Sequence, residues 1–166
     1  GLLVVLSVGL VTAPLLGPLV LGLMRYRTSP TTLNQLLGSD ASAMFVVAPL
    51  CLVAAHLVHR RSLAGPPLAA GIGAYAVYTY AQVIVGQEYL RLPGNVEKFF
   101  PLLLAIFVLA EVTSVLAWHG LPEDLPSPSR RFERLSAWVL VAVSVFLVLG
   151  LHLPTMITAW TDPGSL

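Results

Sequence analysis

The chain reads as all-α: a polytopic transmembrane helical bundle of about five membrane-spanning helices. Three observations carry that reading. Hydrophobic residues make up 57% of the 166 and charged residues only 10%, with a mean hydropathy of +0.85. A soluble domain carries about 25% charged residues, so this chain cannot clothe a water-exposed surface. Its apolar residues also gather into five runs of 18–24 residues, each enough to cross a hydrocarbon core of roughly 30 Å as a helix. None of the runs shows the alternation, over about ten residues, of a membrane-spanning strand.

The first run, 2–24, stops at Arg25-Tyr26-Arg27. It is longer than the apolar core of a signal peptide and ends in arginines, so it reads as a retained helix. The second, 41–58, follows Gly38-Ser39-Asp40 and stops at His59-Arg60-Arg61. Ser39 or Asp40 is a natural N-cap there, because its side-chain oxygen accepts from an orphan amide, and this role is preferred to ligand binding at an outer mouth. The third, 67–86, starts after Gly65-Pro66-Pro67, and the fourth, 99–118, carries Pro101 in its first turn, where a missing N–H matters little. The fifth, 135–158, is followed by Trp160, placed as an interfacial anchor. Pro14, Pro18, Pro49 and Pro154 lie inside their runs, where each removes an intrahelical bond, favours a kink and opens space within a bundle. Gly1 stands where an initiator Met would, and Thr161 to Leu166 reads as a loop, so the chain is expected to continue, with a further helix beyond it. The whole of 1–166 is expected to be one transmembrane domain.

Charge excludes some partners. A net charge of +1 with no basic run gives no footprint for nucleic acid. The single Cys51 rules out an internal disulfide, a CxxC pair and a thiolate metal site. Arg25, Arg27, Arg91 and Lys98 occupy one pair of loops; Arg60, Arg61, Arg130, Arg131 and Arg134 occupy the other. Counting basic residues places the second pair, and the N-terminus, on the cytoplasmic side. Glu88, Arg91, Glu97 and Lys98 are expected to pair with one another at the interface.

Glu111 is the anomaly. It lies seven residues from the end of the fourth run, roughly 10 Å deep at 1.5 Å per residue. An ionised side chain near a bilayer centre costs about 2.5–3.5 kcal/mol, so such a residue is expected to turn inward. On the third run Gly71, Tyr75, Tyr78 and Gln82 are spaced by four, three and four residues and share a helical face. Tyr75 and Glu111 fall at similar depth, and His56 approaches from the same side. The sequence therefore proposes a cluster of His56, Tyr75, Tyr78 and Glu111, with Ser114 one turn from Glu111, Gln82 on the Tyr78 face, and Asp40 and His152 towards the outer mouth. Beside it stands a plainer reading, in which these groups only hydrogen-bond neighbouring helices, at around 0.6 kcal/mol apiece. Tyr80 and Tyr89 are read as interface anchors. No cofactor is expected: His56 and His59 lack further metal ligands, and His56 and His152 lie at opposite depths, which disfavours a bis-histidine haem.

The pattern Gly38-Ser39-Asp40, Pro49, Arg61-Ser62-Leu63, Gly71 to Tyr80, Asn95 and Phe99-Phe100-Pro101-Leu102 resembles a broad group of uncharacterised bacterial multi-helix membrane proteins. The resemblance covers about residues 38–118, and in that group Gly usually stands where this chain has Ser62. It implies a multi-pass protein of the bacterial inner membrane and transfers no activity. Three function classes follow. One is a bundle binding or transporting a small, lipophilic ligand through the polar cluster. A second is a non-catalytic accessory subunit of a membrane complex. The third, a lipid- or quinone-active enzyme, is least favoured, since no Ser-His-Asp order, paired acids, phosphate loop or HExxH is present. The lipid bilayer is the partner common to all three.

Overall fold

The computed structural model describes residues 1–121 and 127–146, with positions 149, 153 and 157. Every regular element among them is helical, and the chain forms two compact units, Gly1–Glu123 and Asp124–Leu166.

In the first unit, α1 (Leu2–Leu16) ends eight residues before the sequence boundary at 24. Its 15 residues span roughly 22 Å, less than a hydrocarbon core needs. Proline explains the early stop. Pro18 has no N–H to offer the Pro14 carbonyl, and its ring crowds the preceding turn. The chain then folds back through turns, with Leu21 N–H donating to Leu15 O at 3.1 Å and Met24 N–H to Leu16 O at 2.7 Å.

The second helix starts much earlier than expected. α2 (Pro30–Ser42) opens with Ser29 as N-cap, its oxygen accepting from Thr32 N–H, and Pro30 in the first turn. That is the standard start signal of a capping hydroxyl followed by proline. It runs through a π-helical turn at Ala43–Val47 into α3 (Ala48–His59), giving one helical stretch of 30 residues. The wide turn sits just before Pro49, which has no N–H for the Phe45 carbonyl. Ser7 on α1 donates to the Ala48 carbonyl at 2.9 Å and fastens the two helices at this point.

α4 (Gly65–Val85) and α5 (Phe100–His119) follow, the latter preceded by a 3-10 turn at Val96–Phe99. α1 packs on α3, α3 on α4, α4 on α5 and α5 back on α1, closing a ring of four. Buried positions recur at helical spacing: Leu3, Leu6 and Leu10 on α1, and Leu103, Ile106 and Ala110 on α5. The most extensive pairing, α4 on α5, depends on Gly73. A Cβ there would meet the Ser114 amide nitrogen at 3.0 Å and the Ala110 carbonyl at 3.1 Å, so only glycine allows this approach.

One end of the bundle is tied by its loops. Asn95 accepts from Arg25 N–H at 2.7 Å and donates to Leu23 O at 2.9 Å. Gln87 accepts from Arg27 N–H at 2.7 Å, and Glu88 N–H donates to Arg27 O at 2.7 Å. The Arg27 guanidinium grips both oxygens of Glu97, at 3.0 and 2.7 Å, and donates to Leu92 O at 2.8 Å. Glu97 thus pairs across loops with Arg27, correcting the expectation of pairing within residues 88–98. That bond keeps the Arg27 charge secure, above its ordinary range.

Three stretches, Pro30–His59, Gly65–Val85 and Val96–His119, are long and apolar enough to cross a bilayer, and α1 is a shorter apolar helix. The protein is a membrane protein built of helices.

The second unit contains α6 (Arg130–Val145), capped by the Ser129 hydroxyl on Phe132 N–H at 3.2 Å. Three arginines occupy its first turns, and an apolar run begins at Leu135. His152, Pro154 and Trp160 lie outside the described residues.

Candidate functional site

Among the described residues of the first unit the buried acid is Asp40, not Glu111. Asp40 lies on α2 just ahead of the π turn and is 4% exposed. Because the helix begins at Pro30, Asp40 stands three turns inside it, so neither the N-cap role nor the outer-mouth placement holds. Its partner is Tyr26, whose hydroxyl donates to Asp40 Oδ2 at 2.9 Å. Tyr26 is itself buried, carried inward by the fold-back after α1. Burial, reinforced by the neighbouring carboxylate, pushes the Tyr26 phenol well above its usual range, so it remains a donor.

Tyr80 on α4 is a second buried tyrosine of this unit. It is 3% exposed, within electrostatic reach of Asp40, and its hydroxyl has no hydrogen-bond partner. It is no interface anchor. Tyr89, also read as an anchor, is exposed and donates to Ile84 O at 2.8 Å. Gly17, just past α1, faces Asp40: a Cβ there would stand 3.5 Å from Asp40 Oδ2, 3.4 Å from Pro14 O and 3.2 Å from Ala13 O.

The cluster proposed from sequence does not assemble. Glu111 and His56 are both exposed on the outside of the first unit. Among the described residues the Glu111 carboxylate has no hydrogen-bond or ion-pair partner. Tyr78 is 64% exposed. Ser114 turns towards Gly73 of α4, and its buried hydroxyl has no partner. The face carrying Gly71, Tyr78 and Gln82 points away from the core, while Ala69, Gly73, Ala76 and Tyr80 point into it.

Two of those outward residues do meet. Gln82 Nε2 donates to the Tyr78 hydroxyl at 2.9 Å, and both line a groove of about 550 Å³ between α2 and the last turns of α4. Thr32, Gln35 and Ser39 line its opposite wall. Tyr75 bridges the helices just beside it, donating to Ser39 O at 3.3 Å. Ser39 of the groove is followed in the chain by the buried Asp40, which does not line it. A second cavity, of about 390 Å³ at the other end of the bundle, is lined mainly by apolar residues, with His59 among them.

Sequence reasoning missed the pairing of Asp40 with Tyr26 and the inward placement of Tyr80. Ser29-Pro30 marked the true helix start, and the small-residue stripe Ala69, Gly73, Ala76 marked the inner face of α4. Among the described residues no three His, Cys, Asp or Glu side chains gather as a metal-ligand set. No protein-family model, no curated protein and no solved structure matches this chain.

Proposed function

We propose that this is a polytopic protein of the bacterial inner membrane that binds, and passes along, a small amphiphilic ligand held in the groove between α2 and α4. The observation that carries this reading is the lining of that groove. Five of its residues, Thr32, Gln35, Ser39, Tyr78 and Gln82, offer neutral hydrogen-bonding groups on helices of membrane-crossing length. Its volume of about 550 Å³ falls in the usual range for small-molecule sites, roughly 300–1,000 Å³. The absence of charge among these lining residues favours an uncharged polar head with an apolar body. Ala81 and Val85 supply the apolar contact. The bacterial assignment rests on the resemblance carried by residues 38–118, and the three stretches long and apolar enough to cross a bilayer support a multi-pass protein.

Native mass spectrometry of the protein extracted in mild detergent tests the reading. The wild type should retain a molecule below about 1,000 Da, the size such a groove admits. Retention should fall at least tenfold in a Tyr78→Phe, Gln82→Leu double variant. Equal retention in both proteins removes the groove from consideration.

Glu111 favours a second reading, the accessory subunit. It lies eleven residues into α5, beside the exposed Val108, Val112 and Val115. An acid on an apolar outward face is best satisfied by a helix carrying a cationic or hydrogen-bonding group. In that case Glu111→Leu should shift the extracted complex to lower mass on native gels while leaving the chain folded. Unchanged complex size would dismiss this role.

A further inference from the structure

The α2–α4 groove has a neighbour on the same seam. A further cavity, of about 280 Å³, lies between α3 and the first half of α4. Val47, Leu50, Pro67, Leu68, Gly71 and Ile72 wall it, together with Tyr75. Tyr75 joins the two spaces. It lines this lower cavity, and its hydroxyl donates at 3.3 Å to the carbonyl of Ser39, a residue of the groove above.

The sequence explains why the two spaces fall in line. On α4, Pro67, Gly71, Tyr75, Tyr78, Gln82 and Val85 recur at spacings of four, four, three, four and three, one stripe of a single helix. Across the seam, α2, the π turn and α3 form one helical stretch. It supplies Gln35 and Ser39 to the groove, and Val47 and Leu50 to the lower cavity. From Val85 to Pro67 the stripe covers roughly 27 Å at 1.5 Å per residue, close to the depth of a hydrocarbon core. Gly71 keeps the lower part open, since a Cβ there would meet no atom within 4 Å.

The two parts differ in chemistry. No charged side chain lines either of them. The lower walls offer aliphatic surface and the Tyr75 ring, whose hydroxyl is taken up by Ser39. In the groove, Tyr78 and Gln82 share one hydrogen bond, which leaves the pair with both donors and acceptors in either orientation of the amide. Gln35 on the facing wall adds a second amide, without a hydrogen-bond partner among the described residues. A hydroxyl- or amide-bearing head matches groups of both kinds, whereas the carbonyls of a quinone only accept.

We propose that the seam holds a non-ionic amphiphile with a single chain, of the monoacylglycerol class; this rests on the α2–α4 groove being the ligand site. The head lies between Gln35 and the Tyr78–Gln82 pair. Its chain passes Tyr75 and packs over Gly71 against Val47 and Leu50. The lower cavity, about half the volume of the groove, sets the limit at one chain. A fatty acid or phospholipid is disfavoured, because its charged head would find no counter-ion along these walls.

The probe is a monoacylglycerol with a diazirine at the end of its chain, added to the protein in phosphatidylcholine nanodiscs. After irradiation and peptide mass spectrometry, saturable adducts should fall within residues 47–50 and 67–72. Unlabelled monoacylglycerol should displace the probe, and glycerol or the fatty acid of equal chain length should do so at least tenfold more weakly. Gly71→Phe places a ring in the open space and should lower these adducts at least tenfold. Saturable adducts confined to 32–39 and 78–86, unchanged in Gly71→Phe, overturn the seam and leave the groove standing as a ligand site. Equal displacement by the fatty acid overturns the non-ionic head. Absence of saturable labelling overturns the proposal as a whole, and retention by the Tyr78→Phe, Gln82→Leu variant then shows whether the groove falls with it. The wild-type adduct map decides the matter even where Gly71→Phe does not fold.

Discussion

Replacing Tyr26 with phenylalanine deletes one oxygen from the interior and changes almost nothing else. That oxygen is the hydrogen-bond donor to Asp40 Oδ2, at 2.9 Å, and both residues are buried. A hydrogen bond to a charged group contributes about 1.5–3 kcal/mol, and a buried acceptor stripped of its donor loses a similar amount. Tyr26→Phe should therefore lower the unfolding free energy by about 1.5–3 kcal/mol. In an Asp40→Leu background the Tyr26 hydroxyl is a buried donor without an acceptor, so the same substitution should cost nothing or recover stability. The coupling energy of the double-mutant cycle is then at least about 1 kcal/mol. Reversible unfolding in mixed micelles, followed by steric trapping or by titration with a denaturing detergent, measures all four proteins. Losses that add within about 0.5 kcal/mol, the expectation for independent sites, would refute the pairing of Tyr26 with Asp40.

Three other expectations concern the framework around this site. Ser29→Ala removes the N-cap of α2 and should cost roughly 1 kcal/mol, seen as several-fold faster hydrogen exchange at the Thr32 and Leu33 amides. Unchanged exchange there would mean that the helix starts elsewhere. Gly73→Ala should destabilise the α4–α5 pairing by about 1–3 kcal/mol in the same unfolding assay, and Ser114→Ala should restore part of it by removing the nearest oxygen. A neutral Gly73→Ala would show that these helices do not pack this closely. Asn95→Ala breaks two bonds that tie the loop after α1 to the loop after α4 and should cost about 1–3 kcal/mol, against less than about 0.5 kcal/mol for the exposed Arg91→Ala. Equal effects of the two would contradict the loop tie.

The helical membrane class was legible in composition alone, and most turns were legible from their glycines, prolines and arginines. What the sequence hid has two physical causes. Hydropathy registers apolar length, so the polar first half of the second helix, with Thr31, Thr32, Asn34 and Gln35, read as a loop. Its start was nevertheless written in Ser29-Pro30. The second cause is that lipid is as apolar as a protein core. In water, polar residues mark the outer face of a helix; in a bilayer they are expected inside, and the rule fails when groove or partner surfaces also carry them. Tyr78, Gln82 and Glu111 were assigned inward on that expectation and stand outward. Residue size was the better guide, since Ala69, Gly73 and Ala76 face the neighbouring helix because only small side chains permit the approach. Tyr26 was out of reach of periodicity altogether, because Pro18 ends α1 and the irregular fold-back carries the tyrosine inward.

The two acids now have opposite assignments: Asp40 enclosed against Tyr26, and Glu111 open on the outer face of α5. A hydrophobic carbodiimide, which partitions into micelles and attacks carboxyl groups accessible from the apolar phase, separates them in one experiment. After brief labelling of the folded protein and peptide mass spectrometry, Glu111 should carry the adduct and Asp40 should remain unmodified. Modification of Asp40 as fast as Glu111, or faster, would contradict the arrangement on which the account rests.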